Sequence, residues 1–211
     1  MSKARLEAFS DGVLAVAITL LVLNLRVPPT KDSQGHPLSL GPELLKMWPQ
    51  YAAYVTSFLT IGIIWINHHA MISRLREVDH GILILNLLLL MSISVLPFAT
   101  NLMAEYLKGS RGEHLAAGVY SGAFLVMSIC FSALNRHILL LKVDLLHDPP
   151  SEQWRRTAFR RSRSGLLPYL VATVLAAVSP YLTLAICGAL AVFYALPFAS
   201  SAGTEDTGWV P

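Results

Sequence analysis

Polar and apolar positions fall in blocks along this chain, not in short alternation. Six apolar stretches stand out, at about residues 6–25, 49–72, 81–107, 114–141, 165–179 and 181–199. A bilayer-spanning helix needs about 20 predominantly apolar residues, so each stretch predicts one span. Pro28-Pro29 closes the first, because proline cannot continue a helix. Pro49 suits the first turn of the second, and Trp48, Tyr51 and Tyr54 suit an interfacial aromatic belt. Pro97 predicts a kink within the third. Arg136 and His137 mark the interfacial end of the fourth. The last two stretches form a tight hairpin broken at Ser179-Pro180, and both are near the lower length limit for a span. Polar loops at 30–46, 74–79 and 108–112 separate the segments, and residues 152–163 form a basic amphipathic stretch. The tail after Ser200 is short and polar and reads as disordered.

Composition agrees with this pattern. Of 211 residues, 54 % are hydrophobic and only 14 % charged, with a mean hydropathy of +0.54. A soluble domain is closer to about 25 % charged. The fold class is therefore an all-α integral membrane protein with six transmembrane helices. Cys130 and Cys187 lie inside apolar segments and read as small buried hydrophobes, not as a disulfide or a zinc site. Lys3 and Arg5 before an apolar run resemble a signal peptide. Asp11 inside the run, the absence of a small-residue cleavage site and the membrane-embedded remainder argue against cleavage.

Lysine and arginine set the expected orientation. Six alternating spans put Lys3, Arg5, Arg74, Arg76, Lys142, Arg155, Arg156, Arg160, Arg161 and Arg163 on one side. Arg26, Lys31, Lys46, Lys108 and Arg111 fall on the other. The bias places both termini in the cytoplasm, in a cell membrane. The arginines from Arg155 to Arg163 read first as a positive-inside anchor and also suit anionic lipid headgroups. The net charge of +3 gives no indication of nucleic acid. No internal repeat is visible at the six-helix scale, so a symmetric pore would need several copies.

The first apolar helix carries the polar cluster Arg5, Ser10 and Asp11 at its mouth and one hydroxyl, Thr19, in its middle. A carboxylate at a bilayer edge is costly without a partner and marks a functional candidate. On a helical wheel Gly12, Val16, Thr19 and Leu23 form one stripe, while Asp11 heads a face about 100° away. Two readings of the stripe stand. It is ordinary packing with Thr19 bonded to the Ala15 carbonyl, or it lines a path. Arg5 and Asp11 are six residues apart, so a salt bridge between them needs a bend or a second subunit. His68 and His69 point about 100° apart and are poor co-ligands for one metal. His68 instead suits pairing with Asp11 at the same depth. Asn86, Asn101 and Asn135 read as interhelical hydrogen-bond formers. No nucleophile motif, phosphate loop or metal-spaced Cys/His set appears, so an enzyme is not expected. The potassium-filter string Thr-Val-Gly-Tyr-Gly is also absent.

The string Arg5-x-x-x-Phe9-Ser10-Asp11-Gly12 at the start of an apolar helix resembles the signature of the transmembrane protein 175 family. That family comprises potassium channels of prokaryotes and animal lysosomes. Phe58, Trp65-x-x-His68, Leu85-Asn86-Leu87 and Leu96-Pro97-Phe98 extend the likeness over residues 4–107; beyond that only the six-span layout matches. The resemblance implies a pore lined by the first helix and, with one repeat per chain, a homotetramer. It places the pore constriction and selectivity on Val16, Thr19 and Leu23, with transient K⁺ near Thr19 and no cofactor. The family more often has Ile or Leu at the first position, and the smaller Val16 implies a wider constriction and weaker selectivity. Arg5, Ser10, Asp11 and His68 correspond to a structural polar network behind the pore helix. Phe9, Gly12 and Trp65 are expected to pack helices. The expected function is passive potassium conduction. The alternative is a proton-coupled secondary transporter using Asp11 and His68, and a non-conducting scaffold is a third reading.

Overall fold

A computed structural model describes residues 2–107 and 111–196, the side chain of Arg161 excepted. Among these residues the regular structure is helical. In chain order the helices are α1 Lys3–Val22, α2 Leu40–Lys46, α3 Trp48–Ser73, α4 His80–Ser94, α5 Leu96–Tyr106, α6 Glu113–Arg136, α7 Glu152–Ser164, α8 Leu166–Leu175 and α9 Pro180–Ala195. A π-helical turn, His137–Leu141, prolongs α6.

Among the described residues, three stretches are long and apolar enough to cross a membrane: α3, the kinked pair α4–α5 (His80–Tyr106), and α6 with its π turn (Glu113–Leu141). They coincide with the second, third and fourth expected spans. The break between α4 and α5 falls at Val95, two residues before Pro97. The ring of Pro97 cannot donate to the carbonyl four residues back, so the ladder is interrupted there.

Of the remaining stretches, α1 has the expected 20 residues but begins and ends three residues earlier, and α8 is shorter than the sequence pattern predicts. α1 ends at Val22 and its last turn tightens through Leu23, Asn24 and Leu25, whose N–H groups reach carbonyls three residues back. The Asn24 side chain then donates to the Pro97 carbonyl at 2.9 Å, tying this end to the kink. α8 has only 10 residues, about 15 Å against a hydrocarbon thickness of about 30 Å. Gly165 and Pro168 delimit its start, and a turn at 176–179 ends it. α9 has 16 residues, with Ser179 capping it by accepting the Leu182 N–H. The expected end of this last stretch at 197–199, the tail beyond it and residues 108–110 lie outside the described residues.

α6 is the hub, packed against α4, α5, α7, α8 and α9. Its buried side is rich in small residues, Ala116, Ala117, Ser121, Ser128 and Ser132, which let neighbouring backbones approach where no hydrophobic effect drives association. The gaps are filled by Tyr120 and Phe124, edge to face at 4.8 Å, and by Tyr169 stacked on Phe124 at 5.6 Å. Ser57 lies 2.7 Å from Thr100 and 3.3 Å from the Tyr120 hydroxyl, joining α3, α5 and α6. Cys187 is buried and Cys130 half-buried, both as free thiols. Of the asparagines, the Asn135 carbonyl oxygen is buried without a donor among the described residues.

The ends of several elements gather at one basic end of the bundle. Lys3 donates to the Ser73 carbonyl at 2.6 Å, and Leu75 pairs with Leu146 in an isolated antiparallel bridge. Asp79 caps α4 by accepting the Ile82 N–H at 2.7 Å and faces His137 at 3.3 Å and Lys142 at 3.6 Å. Gly81 leaves room for this: a Cβ there would fall 2.6 Å from His137 Nε2. Burial raises the Asp79 carboxyl, but the Ile82 N–H, His137 and Lys142 outweigh it, and the group settles below its ordinary 3.8. A depressed folded pKa means stability that is full above pH 3.8 and lost as the pH falls through the folded value. Asp79→Asn keeps a capping oxygen and removes the charge, so it is expected to flatten that acid limb in thermal melts of detergent-solubilised protein. Asp79→Ala also removes the cap and is expected to cost about 1 kcal/mol more at neutral pH.

Candidate functional site: the first helix and its support

α1 has two unlike sides. Leu6, Ser10, Leu14, Ala17 and Leu21 recur at steps of three and four and are buried against α3, α4 and α5. The opposite side is uncovered. Phe9 is 50 %, Val16 56 % and Leu23 73 % exposed. Thr19 is exposed too, and nothing stands within 4 Å of where a Gly12 Cβ would project. The wheel stripe Gly12, Val16, Thr19 and Leu23 is therefore a continuous open face. Thr19 Oγ1 donates to the Val16 carbonyl at 2.9 Å, not to that of Ala15. With its proton held along the helix, the hydroxyl oxygen keeps its lone pairs free as acceptors.

Behind this face runs a buried chain of three side chains. His68 Nε2 lies 2.7 Å from Asn86 Oδ1. Since that carbonyl oxygen can only accept, His68 carries its proton on Nε2. Asn86 Nδ2 donates to Ser10 Oγ at 2.9 Å, and Ser10 Oγ donates to the Leu6 carbonyl at 2.9 Å. All three residues are at most 1 % exposed. Every donor points the same way, from α3 through α4 to α1, an arrangement in which each bond polarises the next.

A second, outer seam joins α1 and α3. Asp11 accepts the Trp65 indole N–H at 2.9 Å, and Glu7 faces His69 at 3.3 Å. Glu7 and Asp11 are four residues apart on α1, as are Trp65 and His69 on α3, so the pairs stack as two rungs. Ser10 and His68 thus share one network through Asn86, while Asp11 and His68 take different partners in place of the expected pair. α1 is one uninterrupted helix from Lys3 to Val22. Arg5 is exposed and, among the described residues, forms no ion pair. Phe9 and Gly12 lie on the open face, and Trp65 makes its polar contact from a half-exposed position. Sequence reasoning passes over Glu7 and weighs His69 only as a metal co-ligand; their spacing of four from Asp11 and Trp65 is the signal that could have found the pair.

Long apolar helices, buried polar groups paired across interhelical seams and a largely apolar stripe left bare define a polytopic α-helical membrane protein. The chain belongs to the TMEM175 family: the family model described as endosomal/lysosomal potassium channel TMEM175 matches residues 5–97. A potassium channel of Streptomyces collinus is 45 % identical over 191 residues, covering 90 % of each chain. A potassium channel of Chamaesiphon minutus is 40 % identical over 193 residues, 91 % of this chain and 93 % of that one. The fold is similar to the crystal structure of a lysosomal potassium-selective channel TMEM175 homolog from Chamaesiphon minutus. The TM-score is 0.79 at 39 % identity, over 92 % of this chain and 97 % of that one.

Proposed function

We propose that the chain is one subunit of a homotetrameric, potassium-permeable cation channel whose pore is lined by α1. The observation that carries this reading is the open α1 stripe. A helix packed tightly on one side presents Val16, Thr19 and Leu23 on the other, with nothing among the described residues to cover them. Four copies around an axis would make this face the wall of a pore. Rings of Val16 and Leu23 close such a pore by dewetting, without an obstructing charge. Between them, four Thr19 oxygens offer a partly hydrated cation weak ligands, which favours passage over retention. The buried His68–Asn86–Ser10 chain and the Asp11–Trp65 and Glu7–His69 rungs hold α1 in place and do not meet the ion. In this arrangement α1, α9 and the stretch 165–179, in which the turn after α8 adds length and the bilayer thins around a short span, complete six crossings, both termini face the cytoplasm, and the basic end lies on that side. The likeness to a potassium-selective channel supports the cation chosen.

The separate partners of Asp11 and His68 favour conduction over proton-coupled transport. The purified protein in proteoliposomes is expected to release K⁺ down its gradient, faster than Na⁺ and without a proton gradient, and its mass in lipid to equal four chains. A single chain in lipid, or flux that saturates and requires a proton gradient, would overturn the reading.

A further inference from the structure

The arginines of α7 do not act as one patch. Arg155 is turned inward, its Nε donating to the Pro150 carbonyl and its Nη1 to the Leu139 carbonyl, both at 3.1 Å. It thereby satisfies a carbonyl within the π turn. Arg156 pairs with Glu152 at 2.6 Å, one turn back. Arg163 differs. Its guanidinium lies 5.5 Å from the Phe159 ring centroid, and it lines a cavity of about 460 Å³ between α6, α7 and the start of α8. Arg136, from the last turn of α6, lines the same cavity. Both arginines are exposed, and among the described residues neither faces a carboxylate.

The rest of the cavity is mostly apolar, with Ile129, Ala133, Phe159 and Leu166 on its walls. Ile129 is 51 % exposed and stands seven residues before Arg136 on α6, about 10 Å further into the span. The cavity therefore has a charged mouth where α6 leaves the bilayer and an apolar floor inside it. Ser132 donates to the Ser162 carbonyl at 3.1 Å, pinning α7 to α6 beside it. Two guanidiniums offer planar forks that match phosphate oxygens. Their position over an apolar groove matches a molecule whose anionic head continues into an acyl chain. A soluble anion would leave Ile129 and Leu166 uncovered.

We propose that this cavity is a binding site for an acidic phospholipid, with its phosphate between Arg136 and Arg163 and one acyl chain along Ile129, Ala133 and Leu166. The proposal uses the orientation given above only to place the lipid in the cytoplasmic leaflet, and it is independent of conduction. The test is native mass spectrometry of the detergent-purified protein titrated with phosphatidylglycerol or phosphatidylcholine. The expected result is retention of phosphatidylglycerol at roughly tenfold lower concentration than phosphatidylcholine. The double variant Arg136→Gln/Arg163→Gln should lose this preference, and Arg156→Gln, on the same helix, should keep it. Ala133→Trp fills the groove without changing charge and should weaken retention as well. Unchanged preference in the double variant, or equal loss in Arg156→Gln, overturns the site in favour of a general basic face. Full retention by Ala133→Trp, or competition by glycerol 3-phosphate at equal concentration, overturns the lipid assignment in favour of a soluble anion.

Discussion

Val16→Asn is expected to raise cation flux several-fold and to pull the K⁺ over Na⁺ permeability ratio toward unity. The side chains are close in size, so the substitution changes wetting more than width. In the proposed tetramer it replaces four apolar walls with eight hydrogen-bonding groups at one level, and an apolar ring is the element that expels water from a pore. Each reduction of the barrier by about 1.4 kcal/mol is a tenfold gain in rate. Val16 is 56 % exposed in the single chain, so the folding cost should stay within about 0.5 kcal/mol. A flux change then reports on the pore and not on misfolding. Reversal potentials in planar bilayers under K⁺/Na⁺ gradients, with proteoliposome flux alongside, give the measurement. Unaltered flux and selectivity in a correctly assembled variant would place Val16 away from the ion path and remove the stripe as the pore wall.

The long helices were legible because hydropathy alone specifies them. α3, α4–α5 and α6 with its π turn each fill a stretch that no other element could, and Pro97 marks the kink by its missing N–H. Depth was legible in part: the sequence puts Asp11 and His68 at one level, and Asp11 meets Trp65, three residues before His68. What each faces was not. At this end of α3 three polar residues, Asn67, His68 and His69, follow one another, so the sequence gives no preferred side, and a step of one residue turns a side chain by about 100°. That step separates His68, turned into the bundle towards Asn86, from His69, which meets Glu7 at the edge. The length of α8 was hidden for a related reason. Residues 165–199 are almost continuously apolar; Gly165, Pro168 and Ser179-Pro180 bound the helix, but no residue marks its end at Leu175. Among the arginines of α7, the pairing of Arg156 with Glu152 is a local spacing of four, but the bond from Arg155 to Leu139 and the place of Arg163 beside Arg136 depend on the end of α6 and its π turn, 16 and more residues away along the chain.

Asn86→Leu is expected to be the most destabilising of the single substitutions. Asn86 is fully buried and bridges two other buried side chains, accepting from His68 and donating to Ser10. The two sides are not equivalent. Ser10 still donates to the Leu6 carbonyl, so it loses only an incoming bond, worth on average about 0.6 kcal/mol between membrane helices. His68 is left with a buried Nε2–H and nothing to accept it, a desolvation penalty of about 1–3 kcal/mol. The sum is about 2–4 kcal/mol, or roughly 5–15 °C in melting temperature for a chain of this size. The asymmetry makes a sharper expectation. His68→Leu on the Asn86→Leu background removes the stranded donor along with its lost acceptor, and replacing both partners of a buried bond is often nearly neutral. The double variant should therefore melt well above the value given by adding the two single losses, whereas Ser10→Ala on the same background should recover little. Additive losses for His68 and Asn86 in such a cycle would mean that the two act separately. α1 would then be positioned by the Asp11–Trp65 and Glu7–His69 rungs alone, and its register against the proposed pore axis would rest on contacts at the membrane edge instead of the bundle interior.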